Sequence, residues 1–369
     1  MPIAPAARFS SWSANSARLL LAAIVVIMLL SAIVVPSGRV PPAVAPAPPD
    51  VSITSGDGSL ARHDADLLLY ERIVERVAAG ESYYDAAISE QRARSFPVRP
   101  GFAVRMPALA WLQARIGGTG TIVASILLLA AIGLAWWRRL ADEGAGSSER
   151  RYAVALVLAG SSFLLNSYYH PLHELWAGGL MALALGLHRP GRYLPAVAVA
   201  ALALAIRELV LPFVLLMGAM AAWRRDWKEA TAWGGLVLCF AILFGWHLSV
   251  VAGRTGLADH AGPSWLTLRG LPGWIGNIVQ SSQLHLLPRP VAAPLLVLAL
   301  LGWAGRRTLA GTTATLLLLG YGVAFMIAGR DNNFYWGLIV TPLMFAGLAF
   351  IPMSLSNLWQ AAARGARHS

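Results

Sequence analysis

Asp64 and Asp66 stand in the stretch His63-Asp64-Ala65-Asp66-Leu67-Leu68-Leu69-Tyr70, which opens a run of apolar residues at helical spacing. On a helix, Asp66 falls in line with Tyr70, Ile73 and Val77, on the face turned toward membrane or core. A carboxylate there is costly unless it is paired or used. The competing role for either aspartate is helix capping, since Asp is a preferred N-cap and its charge complements the positive helix end.

Three further groups carry chemistry. In His170-Pro171-Leu172-His173-Glu174-Leu175-Trp176, spacings of three and four would place His170, His173 and Glu174 on one helical face. They could hold a divalent cation or contact a substrate, although His and Trp also serve as interfacial anchors. Arg207 and Glu208 interrupt a long apolar stretch, where each charge costs about 2.5–3.5 kcal/mol at the membrane centre. They either pair with each other, or Arg207 offers its planar fork to a phosphate. Gly329-Arg330-Asp331-Asn332-Asn333-Phe334-Tyr335-Trp336 is either a polar turn beside an aromatic belt or a binding edge contributed by Arg330 and Tyr335. Arg254, Arg269 and Arg289 add positive charge near the same face.

The elements that must position these residues follow from composition. Of 369 residues, 57% are hydrophobic and 13% charged, which excludes a water-soluble protein and points to an all-α polytopic membrane protein forming one integral membrane domain. Apolar runs at about 19–35, 119–137, 152–169, 175–188, 193–206, 209–223, 233–251, 291–304, 312–328 and 338–353 predict about 10 transmembrane helices. The first is read as an uncleaved helix, because Pro46 follows the small-residue tripeptide 43–45 that a signal peptidase would need.

The net charge of +11 is distributed by topology. Basic clusters at Arg138-Arg139, Arg150-Arg151, Arg189 and Arg192, Arg224-Arg225 and Lys228, Arg306-Arg307, and Arg364 and Arg367 all fall on one side if 193–223 is a tight helical hairpin. That places both termini in the cytoplasm. The long segments 36–105 and 252–290 then lie outside. The first opens with a Pro-rich, polyproline-like spacer (36–49), continues as an amphipathic helix over 66–77 and a second helical stretch over 81–95, and re-enters at Met106-Pro107. Cys239, the single cysteine, lies in an apolar run and reads as a small core residue. No Gly-rich phosphate loop or internal repeat is present, and neither outer segment could house a nucleotide-binding domain, so ATP-driven transport and nucleic-acid binding are not expected.

On Asp64-Ala65-Asp66, Tyr70, Gly80, Tyr83, Tyr84, Arg99-Pro100, Arg105-Met106-Pro107, Ala110-Trp111-Leu112 and Gly117, the chain resembles the polytopic C-type glycosyltransferases. These include lipid A aminoarabinose transferases, protein O-mannosyltransferases and polyprenyl-phosphate-sugar-dependent mannosyltransferases. The charged hairpin Arg207-Glu208 is similar as well. The resemblance covers some 55 residues well and the remaining spans only by topology. It implies transfer of a sugar from a polyprenyl-phosphate donor to a lipid or glycan acceptor at the periplasmic face, with Asp66 or Asp64 as the catalytic base. The phosphate would be held by an arginine, with Arg207, Arg330 and Arg105 the candidates in that order. A large protein acceptor is disfavoured, because no folded outer domain is present.

Two other classes compete: a transporter or flippase of lipid-linked sugar, against which the absence of hydropathy symmetry between halves counts, and a non-catalytic partner of a polysaccharide assembly complex. The Arg-rich, Lys-poor composition suggests a bacterial inner membrane. The enzyme reading expects Asp66 and Arg207 to open into one outward cavity, with an apolar groove reaching the lipid, and fails if they line opposite sides of the bundle.

Overall fold

The structure, a computed structural model, describes residues 7–34 and 58–364, with side chains in the second helix from Ala65 onward. The spacer 36–49 and the Asp64 side chain lie outside the described residues. Within them, the regular secondary structure is helical, accompanied by three isolated bridges. The helices are α1 (Ala14–Ile33), α2 (Gly58–Ala78), α3 (Tyr83–Ala93), α4 (Ala108–Asp142), α5 (Ser147–Gly160), α6 (His173–Leu187), α7 (Leu194–Ile206), α8 (Leu211–Trp223), α9 (Trp227–Ala252), α10 (Gly270–Gln280), α11 (Arg289–Gly305), α12 (Leu309–Ile327), α13 (Thr341–Met344) and α14 (Ile351–Ala363). By length and composition, Ala14–Ile33, Gly101–Asp142, Trp227–Ala252, Leu309–Ile327 and Thr341–Ala363 can each cross a bilayer. Leu194–Ile206, Glu208–Trp223 and Arg289–Gly305 are shorter apolar helices. This is the pattern of a multi-pass helical membrane protein.

The centre of the bundle is α6, buried from His173 to Gly186. Its small residues let neighbours approach closely. A side chain at Gly178 would collide with the Leu338 backbone, and Trp136 of α4 donates its indole N–H to the Ala182 carbonyl at 3.0 Å. Peripheral helices are the reverse. α9 buries Trp233, Phe240, His247 and Val251 along one stripe and exposes Leu238, Ile242, Leu243 and Trp246. Cys239 is exposed on that helix, which corrects its reading as a core residue. Against hydrocarbon, an apolar run has no reason to turn inward.

Ion pairs tie the helix ends together at one end of the bundle. Arg139 pairs with Glu143 at 2.8 Å, Arg189 with Asp142 at 2.7 Å and Arg224 with Glu229 at 2.8 Å, while Arg306 reaches Glu149 and His188 shares a hydrogen bond with Glu229 at 2.7 Å. Arg8 donates to the Ala304 carbonyl at 2.8 Å, and Arg18 to the Ala362 carbonyl at 3.1 Å, bringing both described ends of the chain to the same place. Among the described residues, the basic clusters are thus gathered on one side. Many of these charges are paired and buried rather than free.

The opposite end holds the two long segments that link helices there, the described part of 36–105 and 252–290. Their backbones meet where the Val98 N–H donates to the His260 carbonyl at 3.2 Å and the Gly262 N–H to the Arg99 carbonyl at 2.8 Å. Within 252–290, read from sequence as a polar loop, α10 is buried from Gly273 to Val279 against α12 and the 3-10 run Asp331–Ile339. Its apolar stretch is too short to stand out from a polar background.

Candidate functional site

The α2 helix is amphipathic as its spacing predicts. Leu67, Leu69 and Ile73 are buried, while Glu71, Arg72 and Glu75 face outward. Arg76 fastens it to the next helix through Glu81 at 2.6 Å and Glu90 at 2.8 Å. From α3, the Tyr83 hydroxyl donates to the Arg105 carbonyl at 2.6 Å, which fixes the backbone just before α4 and sets the direction of the Arg105 side chain. A helix break at Gly117, with φ +68°, separates the first two turns of α4 from its long apolar remainder. Only glycine holds that conformation without strain.

Arg105 and the first turn of α6 meet under α2. Arg105 Nε donates to the Tyr70 hydroxyl at 3.2 Å, and its Nη2 lies 3.9 Å from Glu174 Oε1. Tyr70 packs edge-on against His173 with ring centroids 5.0 Å apart. Glu174 stands in the first turn of α6, where the helix dipole favours a negative charge. It accepts from Arg207 Nε at 2.7 Å with both side chains 1% exposed.

Arg207 comes from the tip of the α7–α8 hairpin, which is not helical. Its φ of −149° and ψ of 117° are extended, and Glu208 begins a short 3-10 turn. Sequence neighbours on a helix diverge, but this extended link lets Arg207 and Glu208 pair directly. Arg207 therefore bridges two carboxylates, one deep and one near the surface. The Tyr321 hydroxyl donates to the Leu209 carbonyl and pins the tip to α12.

Asp66 looks onto this cluster, with Arg105 and Glu174 as its charged neighbours. Burial pushes its carboxyl up to about 6; Arg105 counteracts this and Glu174 adds to it. Burial likewise raises the Tyr70 and Tyr335 phenols. Tyr335 adjoins Asp66, Tyr70, Arg105 and Glu174, and its oxygen accepts from Asn333 Nδ2 at 3.1 Å. A narrow, mostly apolar cleft lined by Tyr70, Ile73, Val74, Leu109, Pro171 and His173 runs beside the cluster. Neither Asp66 nor Arg207 is among its lining residues; the two are connected through Glu174 and Arg105 instead.

The structure thus brings together Asp66, Arg105, His173, Glu174, Arg207, Glu208 and Tyr335. Two other candidates are engaged elsewhere. Arg330 neighbours Tyr335 but donates to the Pro263 carbonyl at 2.6 Å and lies 4.6 Å over the Trp265 ring, holding the second long polar segment rather than joining Arg207. His170 precedes α6, bonds the Leu164 carbonyl through Nε2 at 2.9 Å and packs on Trp176, so it does not share a face with His173 and Glu174. The helix that would have aligned the three begins only at His173. Among the described residues, no group of three His, Cys, Asp or Glu is arranged to hold a metal. Tyr70 entered the sequence reading on the Asp66 helix face and in the family motif but was not named as a site residue. Its position one turn after Asp66 was the available signal.

Set against known protein families, curated sequences and solved structures, the chain matches none.

Proposed function

We propose that this protein is a membrane glycosyltransferase that moves a sugar from a polyprenyl-phosphate donor to a lipid or glycan acceptor. The observation that carries this reading is the juxtaposition of Asp66 with Arg105, which Glu174 links to Arg207, where the amphipathic α2 packs on the bundle. Asp66, ionised above about pH 6, takes the proton of the acceptor hydroxyl as its oxygen attacks the anomeric carbon. The bond from that carbon to the phosphate oxygen breaks, and the polyprenyl phosphate leaves with its charge held by guanidinium groups. Arg105 comes first for that role, ahead of Arg207. Among the described residues it gives one side-chain hydrogen bond, to Tyr70, whereas Arg207 is occupied by two carboxylates.

In this reading the chain crosses the membrane about ten times, with the short apolar helices and α5 and α6 completing the set begun by the five long ones. The basic end faces the cytoplasm of a bacterial cell, and the Asp66 cluster faces the periplasm. The alternation of helix ends between the ion-paired end and the Asp66 end supports this arrangement.

The test uses purified protein in nanodiscs with a polyprenyl-phosphate sugar and envelope glycolipid as acceptor. Asp66→Asn is expected to bind the donor and lose transfer. Wild-type turnover in that variant would remove Asp66 as the base. Mass spectrometry of envelope glycans with and without the protein identifies the product, and unchanged glycans would count against the enzyme reading.

A further inference from the structure

Three carboxylates and two guanidinium groups make up the ionic cluster, and one carboxylate differs from the others in its freedom to leave. Glu174 is 1% exposed and is held between Arg207 and Arg105 in the first turn of α6. Asp66 belongs to a helix packed against α3 and α4. Glu208, by contrast, has a side chain 23% exposed on a three-residue 3-10 turn, and its contact in the cluster is Arg207. Arg207 itself is 1% exposed, so no anion reaches its guanidinium while both carboxylates remain in place.

Resting on the lipid-phosphate reading above, we propose that the Glu208 carboxylate holds the position on Arg207 that the donor's phosphate takes, and that it swings into water as the phosphate arrives. On loading, the exchange is one monoanion for another, since the donor's phosphodiester carries a single negative charge; the released phosphomonoester, like the undecaprenyl phosphate probe, carries up to one negative charge more and competes with the same carboxylate for the same guanidinium. A carboxylate and a phosphate present the same paired oxygens to a guanidinium fork. Arg105 provides the first contact and Arg207 the second, gained only when Glu208 departs. On release the order reverses, and the returning carboxylate competes the polyprenyl phosphate off Arg207. Glu208 is thereby a positioning residue that sets donor affinity and product release without touching the reacting atoms.

The experiment measures binding of undecaprenyl phosphate to the full chain in nanodiscs by tryptophan fluorescence, for wild type and Glu208→Gln. The amide keeps the shape and removes the competing charge. About tenfold tighter binding is expected, worth about 1.4 kcal/mol. In turnover, KM and kcat should fall together, a split that loss of a mere structural strut would not produce. Unchanged or weaker binding by Glu208→Gln overturns the exchange while leaving the lipid-phosphate reading standing. Absence of binding by wild type overturns both. A second readout needs no variant: carbodiimide labelling of Glu208, followed by peptide mass spectrometry, should increase when undecaprenyl phosphate saturates the wild-type protein, and equal or reduced labelling refutes the displacement.

Discussion

Replacing Asp66 by Asn is expected to abolish sugar transfer and, above pH 6, to make the protein more stable. An unfolded aspartate releases its proton near pH 3.9, and the folded one near 6. Between those values the folded chain holds a proton that the unfolded chain has lost. The stability linked to this group is therefore full below about pH 4 and declines as pH rises to 6, beyond which the whole penalty is present. By proton linkage that penalty is about 3 kcal/mol. Asp66 retains part of its surface, so about 2 kcal/mol is the working expectation. Asparagine cannot ionise and escapes the penalty. Activity runs the other way, because the base must be ionised: with a pKa of about 6, roughly one-tenth of it is ionised at pH 5, so wild-type kcat/KM should rise about tenfold from pH 5 to a plateau above pH 7. Thermal unfolding in detergent at pH 5 and 7.5, paired with transfer of radiolabelled sugar over the same range, measures both limbs. An Asn variant less stable than wild type at pH 7.5, or a wild-type rate flat from pH 5 to 8, refutes the reasoning.

The other expectations concern the groups around that carboxylate. Arg105→Gln should lower kcat/KM for the donor by about a hundredfold, the scale of one lost oxyanion contact, with partial recovery in Arg105→Lys; steady-state kinetics that leave kcat/KM unchanged would exclude the residue. Glu174→Ala strips the buried partner from Arg207 and a neighbour from Arg105, and should cost about 3–5 kcal/mol of stability by thermal unfolding, more than Glu174→Gln. Gly302→Ala places a methyl group against the Gly347 carbonyl, where backbone faces backbone and neither can yield. Its folded yield by size-exclusion chromatography should collapse, whereas Gly234→Ala, with open space at the same position, should fold normally.

Much of this protein was written in its sequence, because hydrophobic content and charge placement answer to the solvent. A bilayer demands that every backbone group be satisfied internally, which only helices and closed barrels do; long continuous apolar runs selected helices, and the basic residues marked one set of helix ends. The amphipathic spacing from Asp66 to Val77 likewise placed α2, since a helix with one apolar face has one way to pack. Beyond the pairing of Arg207 with Glu208, one of two sequence readings, which charges meet was not legible. Arg207 and Glu208 pair because the hairpin tip is extended rather than helical, and Glu174 joins them because α6 starts at His173, leaving His170 behind. Arg330 and Arg105 are equivalent as residues in a list, but one is drawn onto Trp265 and the other is aimed by Tyr83 beneath Asp66. Local propensity fixes where helices run, whereas the partner of a buried charge depends on contacts between segments far apart in the chain, and those exist only once the bundle has assembled.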